Sequence, residues 1–220
     1  MCFSPQADLV GGVVVGAIGI DSLRHVDHRR QLPLAALPLL FATHQLVEAV
    51  LWQNLRTGSM AAASRPALWT YLVIAFSLPL VIPLVMAVSE PDRARRRPMV
   101  VLVVLGGAVT ALLLSALSRP FEVAAVGHHI SYRVHYPFST AVTGLYVVAT
   151  CGAVLLSSSR ILRLFGVINL VAVTGLAFLS ADGLISLWCA WAAVTTVVIN
   201  VHLRRSGEES RQSSATPVMG

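Results

Sequence analysis

Seven apolar segments, each close to the length that crosses a lipid bilayer, restrict the fold of this chain more than any other feature. About 20 consecutive apolar residues span the hydrocarbon core as an α-helix. The segments cover about residues 7–23, 34–55, 67–88, 99–117, 138–157, 161–180 and 184–203. Helices satisfy all their backbone hydrogen bonds within lipid. The sequence therefore predicts an all-α fold, an integral membrane bundle of seven transmembrane helices that forms one domain over residues 1–205.

The charged residues are too few to cover a water-soluble domain. Asp, Glu, Lys and Arg together make up 12% of the chain, and apolar residues make up 56%. Soluble domains carry about 25% charged residues. All 16 basic residues are arginines, and they lie in the short stretches between apolar segments. That placement is typical of membrane orientation, so we expect a multi-pass protein of the cell membrane, with the bilayer as its partner and no nucleic acid.

The distribution of the arginines predicts the orientation of the bundle. Twelve of the 16 follow the first, third, fifth and seventh segments. Because cytoplasmic loops carry an excess of positive charge, we expect the N-terminus outside and the C-terminus in the cytoplasm. The polar residues 206–220 are then expected to form a disordered cytoplasmic tail. The sequence does not indicate an oligomeric state.

Ionisable residues interrupt the second apolar segment. His44, Glu48 and Trp52 are spaced by four residues, so they share one face of a helix with 3.6 residues per turn. A charged side chain inside a lipid-spanning helix costs about 2.5 kcal/mol or more, and such residues usually face the bundle interior and mark function. Glu48 is therefore a candidate catalytic acid, oriented by His44 and Gln45. A structural carboxylate bonded to His44 is the competing interpretation.

The predicted orientation brings further polar and aromatic residues to the outer layer that contains Glu48. Asp182 lies between the sixth and seventh segments, where it is either a second catalytic group or the N-cap of a helix. The loop over residues 118–137 is long enough to be functional, and its alternating stretch 130–136 predicts a short strand or lid. The residues expected to line a substrate pocket in this layer are Trp52, His129, Tyr132, Tyr136, Trp188 and Trp191. For the three tryptophans, an aromatic belt at the membrane interface is the competing interpretation.

Two kinds of chemistry fit such a layer. In the first, apolar surroundings keep a carboxyl protonated, the carboxyl protonates an alkene, and aromatic faces stabilise the resulting carbocation. In the second, His44, Glu48 and the loop histidines bind a metal ion that activates water. Because the chain has no HxxxH or HExxH spacing, we favour the first chemistry and expect no metal and no other cofactor.

Two resemblances add to this interpretation. The start Met1-Cys2-Phe3-Ser4, together with His44-Gln45-x-x-Glu48 and Trp52, resembles a family of small bacterial membrane proteins that begin Met-Cys-Phe-Ser, which implies no activity. The overall plan also resembles the small seven-helix membrane terpene cyclases of meroterpenoid and indole-sesquiterpenoid (drimentine-type) biosynthesis. In those enzymes the important acids are a Glu on the second helix and an Asp near the sixth-to-seventh turn. Glu48 and Asp182 occupy the matching places.

The resemblance to the cyclases implies a reaction of secondary metabolism. A farnesyl chain on an indole or other aromatic head group is protonated and cyclised, without a metal and without loss of diphosphate. Glu48 and Asp182 would be the acid and its partner, in either order, acting on a lipophilic prenylated small molecule. The alternative is a metal-dependent membrane hydrolase or oxidoreductase that uses His44, Glu48 and the loop histidines. A third hypothesis is a transporter or sensor with an intramembrane proton site.

Overall fold

The computed structural model describes the backbone of residues 4–56, 65–126, 129–179 and 183–215. Within these ranges, side chains are described except at residues 56, 122, 124–126, 129, 131, 133, 176–179, 183–190 and 209–215. The described backbone forms seven α-helices and one antiparallel hairpin: α1 (Pro5–Arg24), α2 (Leu32–Arg56), α3 (Arg65–Ser89), α4 (Arg93–Ala116), β1 (Glu122–Val126), β2 (His129–Arg133), α5 (Ser139–Leu155), α6 (Arg160–Leu179) and α7 (Gly183–Ala215). A single 3-10 turn, Arg29–Gln31, precedes α2.

Each predicted apolar segment coincides with all, most or part of one helix, so the helical architecture is confirmed. Among the described residues, four helical stretches are long and apolar enough to cross a membrane: Pro5–Arg24, Arg29–Leu55, Arg65–Ser89 and Arg93–Ala116. Helix α5 is apolar but shorter. The described helices therefore have the character of a membrane protein, and the hairpin is a small addition to an otherwise helical fold.

Small residues on α1 let it pack closely along α2. A Cβ atom on Gly12 would lie 2.8 Å from Leu46 Cδ2, and a Cβ atom on Gly19 would lie 2.8 Å from Leu39 Cδ2. Glycines at such contacts allow two helix backbones to approach within lipid. Because the contacts run in opposite directions along the two helices, α1 and α2 are antiparallel. The first turns of α1 therefore lie beside the C-terminal half of α2.

Proline shapes the contact of α3 with its neighbours. Pro79 lies inside α3, and because proline has no N–H, the carbonyl of Ala75 loses its partner within the helix. The hydroxyl of Tyr146 on α5 donates a hydrogen bond to that carbonyl at 3.0 Å. On the other side of α3, a Cβ atom on Gly106 of α4 would overlap the Pro79 carbonyl. Helices α4 and α5 therefore contact α3 at the point where its backbone hydrogen bonding is interrupted.

Most of the arginines lie at one end of the bundle, which we call the basic end. It comprises the α1–α2, α3–α4 and α5–α6 connections with the helix turns beside them, and the C-terminal part of α7. Asp21 forms an ion pair and a hydrogen bond there. Its Oδ2 accepts hydrogen bonds from Arg204 Nη2 at 2.6 Å and from Asn200 Nδ2 at 2.8 Å. These bonds tie the C-terminal end of α1 to α7.

Helix α7 continues past the expected start of the disordered tail at residue 206, as far as Ala215. The hydroxyl of Ser206 donates to the His202 carbonyl at 3.0 Å. Gly207 is buried, and a Cβ atom there would lie 3.2 Å from Asp27 Oδ2. Packing against the α1–α2 connection therefore gives this polar stretch a tertiary partner that its composition does not reveal. Residues 216–220 lie outside the described part of the chain.

The hairpin lies between α4 and α5, at the end of the bundle opposite the basic end. Its second strand, His129–Arg133, overlaps the first four residues of the predicted alternating stretch 130–136. Ile130 is 1% exposed and packs with Tyr132 and Val134 against a cluster from α2 and α3. These three residues alternate along the chain, so one face of the strand covers the helices. The hairpin therefore acts as a cover over the end of the bundle.

Candidate functional site

Glu48 is the most deeply buried ionisable residue on α2, with 0% of its surface exposed. Helix α2 presents it toward α3, where the hydroxyl of Tyr71 donates a hydrogen bond to Glu48 Oε1 at 3.4 Å. Tyr71 is itself 4% exposed. The bundle interior therefore contains a carboxyl group hydrogen-bonded to a phenol. The sequence predicts the interior position of Glu48 but does not predict Tyr71 as its partner.

Three rings form a continuous stack beside Glu48. The ring centroids of His44 and Tyr71 are 4.1 Å apart at an interplanar angle of 23°. The centroids of Tyr71 and Tyr132 are 4.8 Å apart at 20°. The stack joins α2, α3 and the hairpin, because each element contributes one ring. Residues 44 and 48 are one helical turn apart, which explains how Tyr71 contacts both of them.

A cavity of about 310 Å³ lies beside this stack, between α2, α3, α4, α5, α6 and the hairpin, and all three stacked rings line it. We call it the tyrosine cavity, because all four tyrosines of the sequence line it. The aromatic and imidazole side chains of its wall are His44, Tyr71, Phe76, Tyr132, Tyr136 and Tyr146. The rest of the wall is mainly aliphatic, from residues such as Leu72, Leu113 and Val173. The cavity is therefore an apolar space with aromatic faces and few polar groups.

Asp8 on α1 is a second buried carboxyl beside this site, and sequence reasoning missed it. Its surface is 0% exposed, and neither of its oxygens receives a hydrogen bond from the residues that the structure describes. The antiparallel packing of α1 and α2 brings it close enough for its charge to interact with that of Glu48. An acidic residue in the first turn of a helix is usually explained by its favourable interaction with the helix dipole. The position of Asp8 inside an apolar segment was the sequence signal that could have predicted its burial.

The predicted site residues fall into three groups. His44, Tyr132 and Tyr136 line the tyrosine cavity. Gln45 and Trp52 are 1% and 4% exposed on the same helix as Glu48, but neither is part of the cavity wall. The third group consists of Trp191, which contacts another helix away from the cavity, and of residues that the structure does not describe.

Trp191 belongs to that third group. It stacks on Phe165 of α6, with ring centroids 5.9 Å apart, and is not part of the wall. Asp182 and the side chains of His129 and Trp188 lie outside the described residues. Their predicted roles as catalytic or substrate-binding groups therefore stay predictions.

Sequence reasoning also missed Tyr71 and Tyr146, which the structure places on the cavity wall. Both lie within apolar segments, and a tyrosine inside such a segment needs a hydrogen-bond partner for its hydroxyl. That requirement is the signal that could have found them. Their partners, Glu48 and the Ala75 carbonyl, lie on other helices and are not visible from spacing along the chain.

The described residues contain no group of three or more His, Cys, Asp or Glu side chains that could hold a metal ion. Nε2 of His44 and Nε1 of Trp52 have no hydrogen-bond partner in the described part of the chain. His44 also lines the tyrosine cavity. It is therefore available to bond to, or take a proton from, a molecule in the cavity.

Tyr132 is the titratable group of this site that lies on the hairpin rather than on a helix. Burial raises the pKa of the Tyr132 phenol well above its ordinary value, and the nearby Glu48 carboxylate adds to the shift. A phenol in this position keeps its proton at any physiological pH. Its ring is thus a neutral, electron-rich part of the cavity wall.

Residues 1–214 match the model of a family described as "Family of unknown function (DUF6629)". The match covers nearly the whole chain, so the chain belongs to this family. No curated protein and no solved structure matches it.

Proposed function

We propose that this member of the DUF6629 family is a membrane-embedded terpene cyclase that protonates and cyclises the farnesyl chain of an indole or other aromatic precursor. In this proposal all seven helices cross the cell membrane, with the N-terminus outside and the C-terminus in the cytoplasm. The observation that carries the proposal is the link from the fully buried Glu48, through Tyr71, to an aromatic-lined cavity.

Burial supports the role of Glu48 as an acid. An ionised carboxylate in an apolar interior is costly, so a buried carboxyl tends to keep its proton. The neighbouring Asp8 strengthens this tendency, because two buried carboxyls that interact cannot both ionise without mutual repulsion. In this proposal the pair holds at least one proton. That proton is available at neutral pH to a substrate that enters the cavity.

Tyr71 lies between this proton and the cavity. It lines the cavity and bonds to Glu48, whereas Glu48 is not part of the wall. When Glu48 is protonated, its O–H can donate to the Tyr71 oxygen, and the Tyr71 O–H then turns toward the cavity. Transfer of the Tyr71 proton to an alkene carbon, with transfer of the Glu48 proton to Tyr71, leaves a carbocation and a Glu48 carboxylate. Charge and protons balance in this step.

The cavity wall supports the later steps. Aromatic faces attract cations, and five aromatic rings line the cavity with His44. Loss of a proton from the final cation to His44, or to Asp182 as the sequence predicts, would complete the cyclisation. At about 310 Å³ the cavity lies at the lower end of the ~300–1,000 Å³ range of small-molecule sites. This volume suits a folded prenyl chain, with the aromatic head group at the opening.

The test uses the full chain in membranes with a farnesyl-substituted indole, in D₂O. Protonation of an alkene followed by proton loss elsewhere gives a cyclic isomer that carries one solvent deuterium. We expect this product from the wild type and its loss, by about 100-fold or more, in Glu48→Gln and Asp182→Asn. Glu208→Gln is the matched control, because Glu208 is exposed at the far end of α7.

Two outcomes would overturn the proposal. One is full turnover by both Glu48→Gln and Asp182→Asn. The other is the absence of a cyclic product from the wild type over a series of prenylated aromatic substrates. Elemental analysis of the purified chain addresses the alternative function, because stoichiometric zinc, iron or copper would favour a metal-dependent hydrolase or oxidoreductase that uses His44 and Glu48. Uptake assays in vesicles address the transporter hypothesis.

A further inference from the structure

We propose that a second cavity, at the basic end of the bundle, binds a ligand that carries a phosphate group. This basic cavity has a volume of about 760 Å³ and lies between the ends of α2, α3, α6 and α7. It shares no lining residue with the tyrosine cavity. The proposal therefore does not depend on the function proposed above.

Positive charge dominates the wall of the basic cavity. Its cationic or titratable basic side chains are His28, Arg29, Arg30, Arg160, His202 and Arg205, and its one lining carboxylate is Glu90. Within the described part of the chain, none of these four guanidinium groups forms an ion pair with a carboxylate. The wall therefore presents several positive charges that the described residues do not neutralise.

Glu90 offsets only one of these four positive charges, and its two oxygens accept backbone hydrogen bonds instead of pairing with an arginine. Oε2 accepts from the Ser158 N–H at 2.8 Å, and Oε1 accepts from the Asp92 N–H at 3.1 Å. The side chain is 3% exposed. Its role is structural: it joins the α3–α4 connection to the α5–α6 connection.

Further hydrogen bonds hold the walls of the cavity in place. The hydroxyl of Ser89 donates to the Arg30 carbonyl at 3.0 Å and so fixes α3 to the connection before α2. Ser159 Oγ lies 3.2 Å from His202 Nδ1 and joins the start of α6 to α7. Together with the Glu90 bonds, these contacts connect all the elements that surround the cavity. A cavity that is preformed in this way costs little ordering when a ligand binds.

The interior side of the basic cavity is apolar. Leu34, Met86 and Leu162 line it and are 2%, 4% and 4% exposed. Arginine forks match phosphate oxygens in pairs, and basic pockets between transmembrane helices bind phosphate-bearing head groups. The positive-inside distribution explains why this end is rich in arginine. It does not explain why arginines from three separate elements meet around one cavity with an apolar floor.

The phosphate can come from a lipid head group or from a soluble phosphorylated molecule, and two measurements separate the sources. In the first, the full chain in phosphatidylcholine nanodiscs is titrated with inorganic phosphate and with pyrophosphate, against sodium chloride of equal ionic strength, and Tm is followed. In the second, the chain is reconstituted with equal parts of phosphatidylcholine and phosphatidylglycerol, and native mass spectrometry counts the anionic lipid retained.

Charge-matched variants decide whether the basic cavity is the site. We expect Arg160→Gln with Arg205→Gln to weaken binding by about tenfold or more. Arg93→Gln with Arg97→Gln removes the same charge at exposed positions outside the cavity, so binding should change by less than about twofold. Arg205→Lys keeps the charge but loses the fork and should give an intermediate loss. Both substituted positions of the cavity, Arg160 and Arg205, are exposed, and the unliganded Tm reports folding.

Saturable binding in the first measurement supports a soluble ligand, and selective retention in the second supports a lipid. Two results overturn the proposal. One is an equal loss of binding in the cavity and control variants, which would reveal diffuse attraction to the whole basic end. The other is a wild type that binds neither phosphate, pyrophosphate nor phosphatidylglycerol in a saturable way.

Discussion

The Tyr71 hydroxyl, 3.4 Å from Glu48 Oε1, connects the buried carboxyl to the cavity wall. Neither residue has this role alone: Glu48 does not reach the wall, and Tyr71 without Glu48 would be a phenol at the edge of an apolar space. The stack of Tyr71 between His44 and Tyr132 holds the phenol in place. In the proposed mechanism, this relationship determines whether the site can deliver a proton.

Tyr71→Phe tests this connection. The change keeps the ring stack and removes the hydroxyl, so we expect the free energy of unfolding to fall by about 1 kcal/mol. If the proposed proton path is right, turnover should fall by about 100-fold. Tyr146→Phe removes a comparable hydrogen bond, to the Ala75 carbonyl. It should lower the free energy of unfolding by a similar amount but reduce turnover much less than Tyr71→Phe does. Equal activity losses in the two variants would contradict a specific role for Tyr71.

Asp8→Asn tests the second buried carboxyl. Asparagine has the same shape, is cheaper to bury and does not repel Glu48, so we expect the free energy of unfolding to rise by about 1 kcal/mol. If the proposed proton path is right, turnover should also fall, because Glu48 loses the neighbour that helps it keep a proton. Asp27→Asn, at an exposed position, should change stability by less than about 0.5 kcal/mol. Denaturant unfolding in neutral detergent measures the free energy of unfolding of both variants. A clear loss of stability in Asp8→Asn would show that Asp8 has a favourable partner.

Gly106→Ala tests the contact of α3 with α4. The new Cβ would overlap the Pro79 carbonyl, and the backbones must separate, which should cost about 3 kcal/mol or more. Gly107→Ala is the neighbouring control: its nearest contact would be Leu80 Cδ1 at 3.8 Å. Alanine favours a helix over glycine by about 1 kcal/mol, so this control should be neutral or stabilising. Thermal unfolding of Gly106→Ala and Gly107→Ala measures this difference in stability.

Tyr132 should titrate abnormally. Since its pKa is raised in the folded chain and is about 10 when unfolded, the stability it contributes is complete below pH ~10 and is lost as pH rises toward the folded pKa. We expect the free energy of unfolding to fall with pH above ~10, and Tyr132→Phe to reduce this slope. In absorbance titrations of folded protein, the wild type and Tyr132→Phe should give equal phenolate signals near pH 10. A larger signal in the wild type would mean that water reaches the phenol.

Local pattern was sufficient for much of the fold and for part of the site. The lengths of the apolar runs predicted the seven helices, because a helix satisfies its own backbone within one segment. Alternation predicted strand β2, because side chains on a strand face opposite sides in turn. The position of Glu48 in an apolar run predicted its burial in the bundle, because a carboxyl is costly to expose to lipid.

Pairing between helices could not be predicted in the same way. The bond from Tyr71 to Glu48 and the proximity of Asp8 to Glu48 depend on the register at which α1, α2 and α3 pack, and that register is decided by contacts such as Gly12 with Leu46. The extension of α7 to Ala215 likewise depends on its contact with the α1–α2 connection.

The sequence by itself thus determined that the chain is a helical membrane-type protein and that Glu48 is a buried acid, since these follow from the cost of polar groups in an apolar medium. Only the tertiary structure decided which groups meet Glu48, that all four tyrosines line one cavity, and that arginines from three elements surround another. The physical reason is that burial is a property of one residue and its segment, whereas a site is a property of the distances between segments.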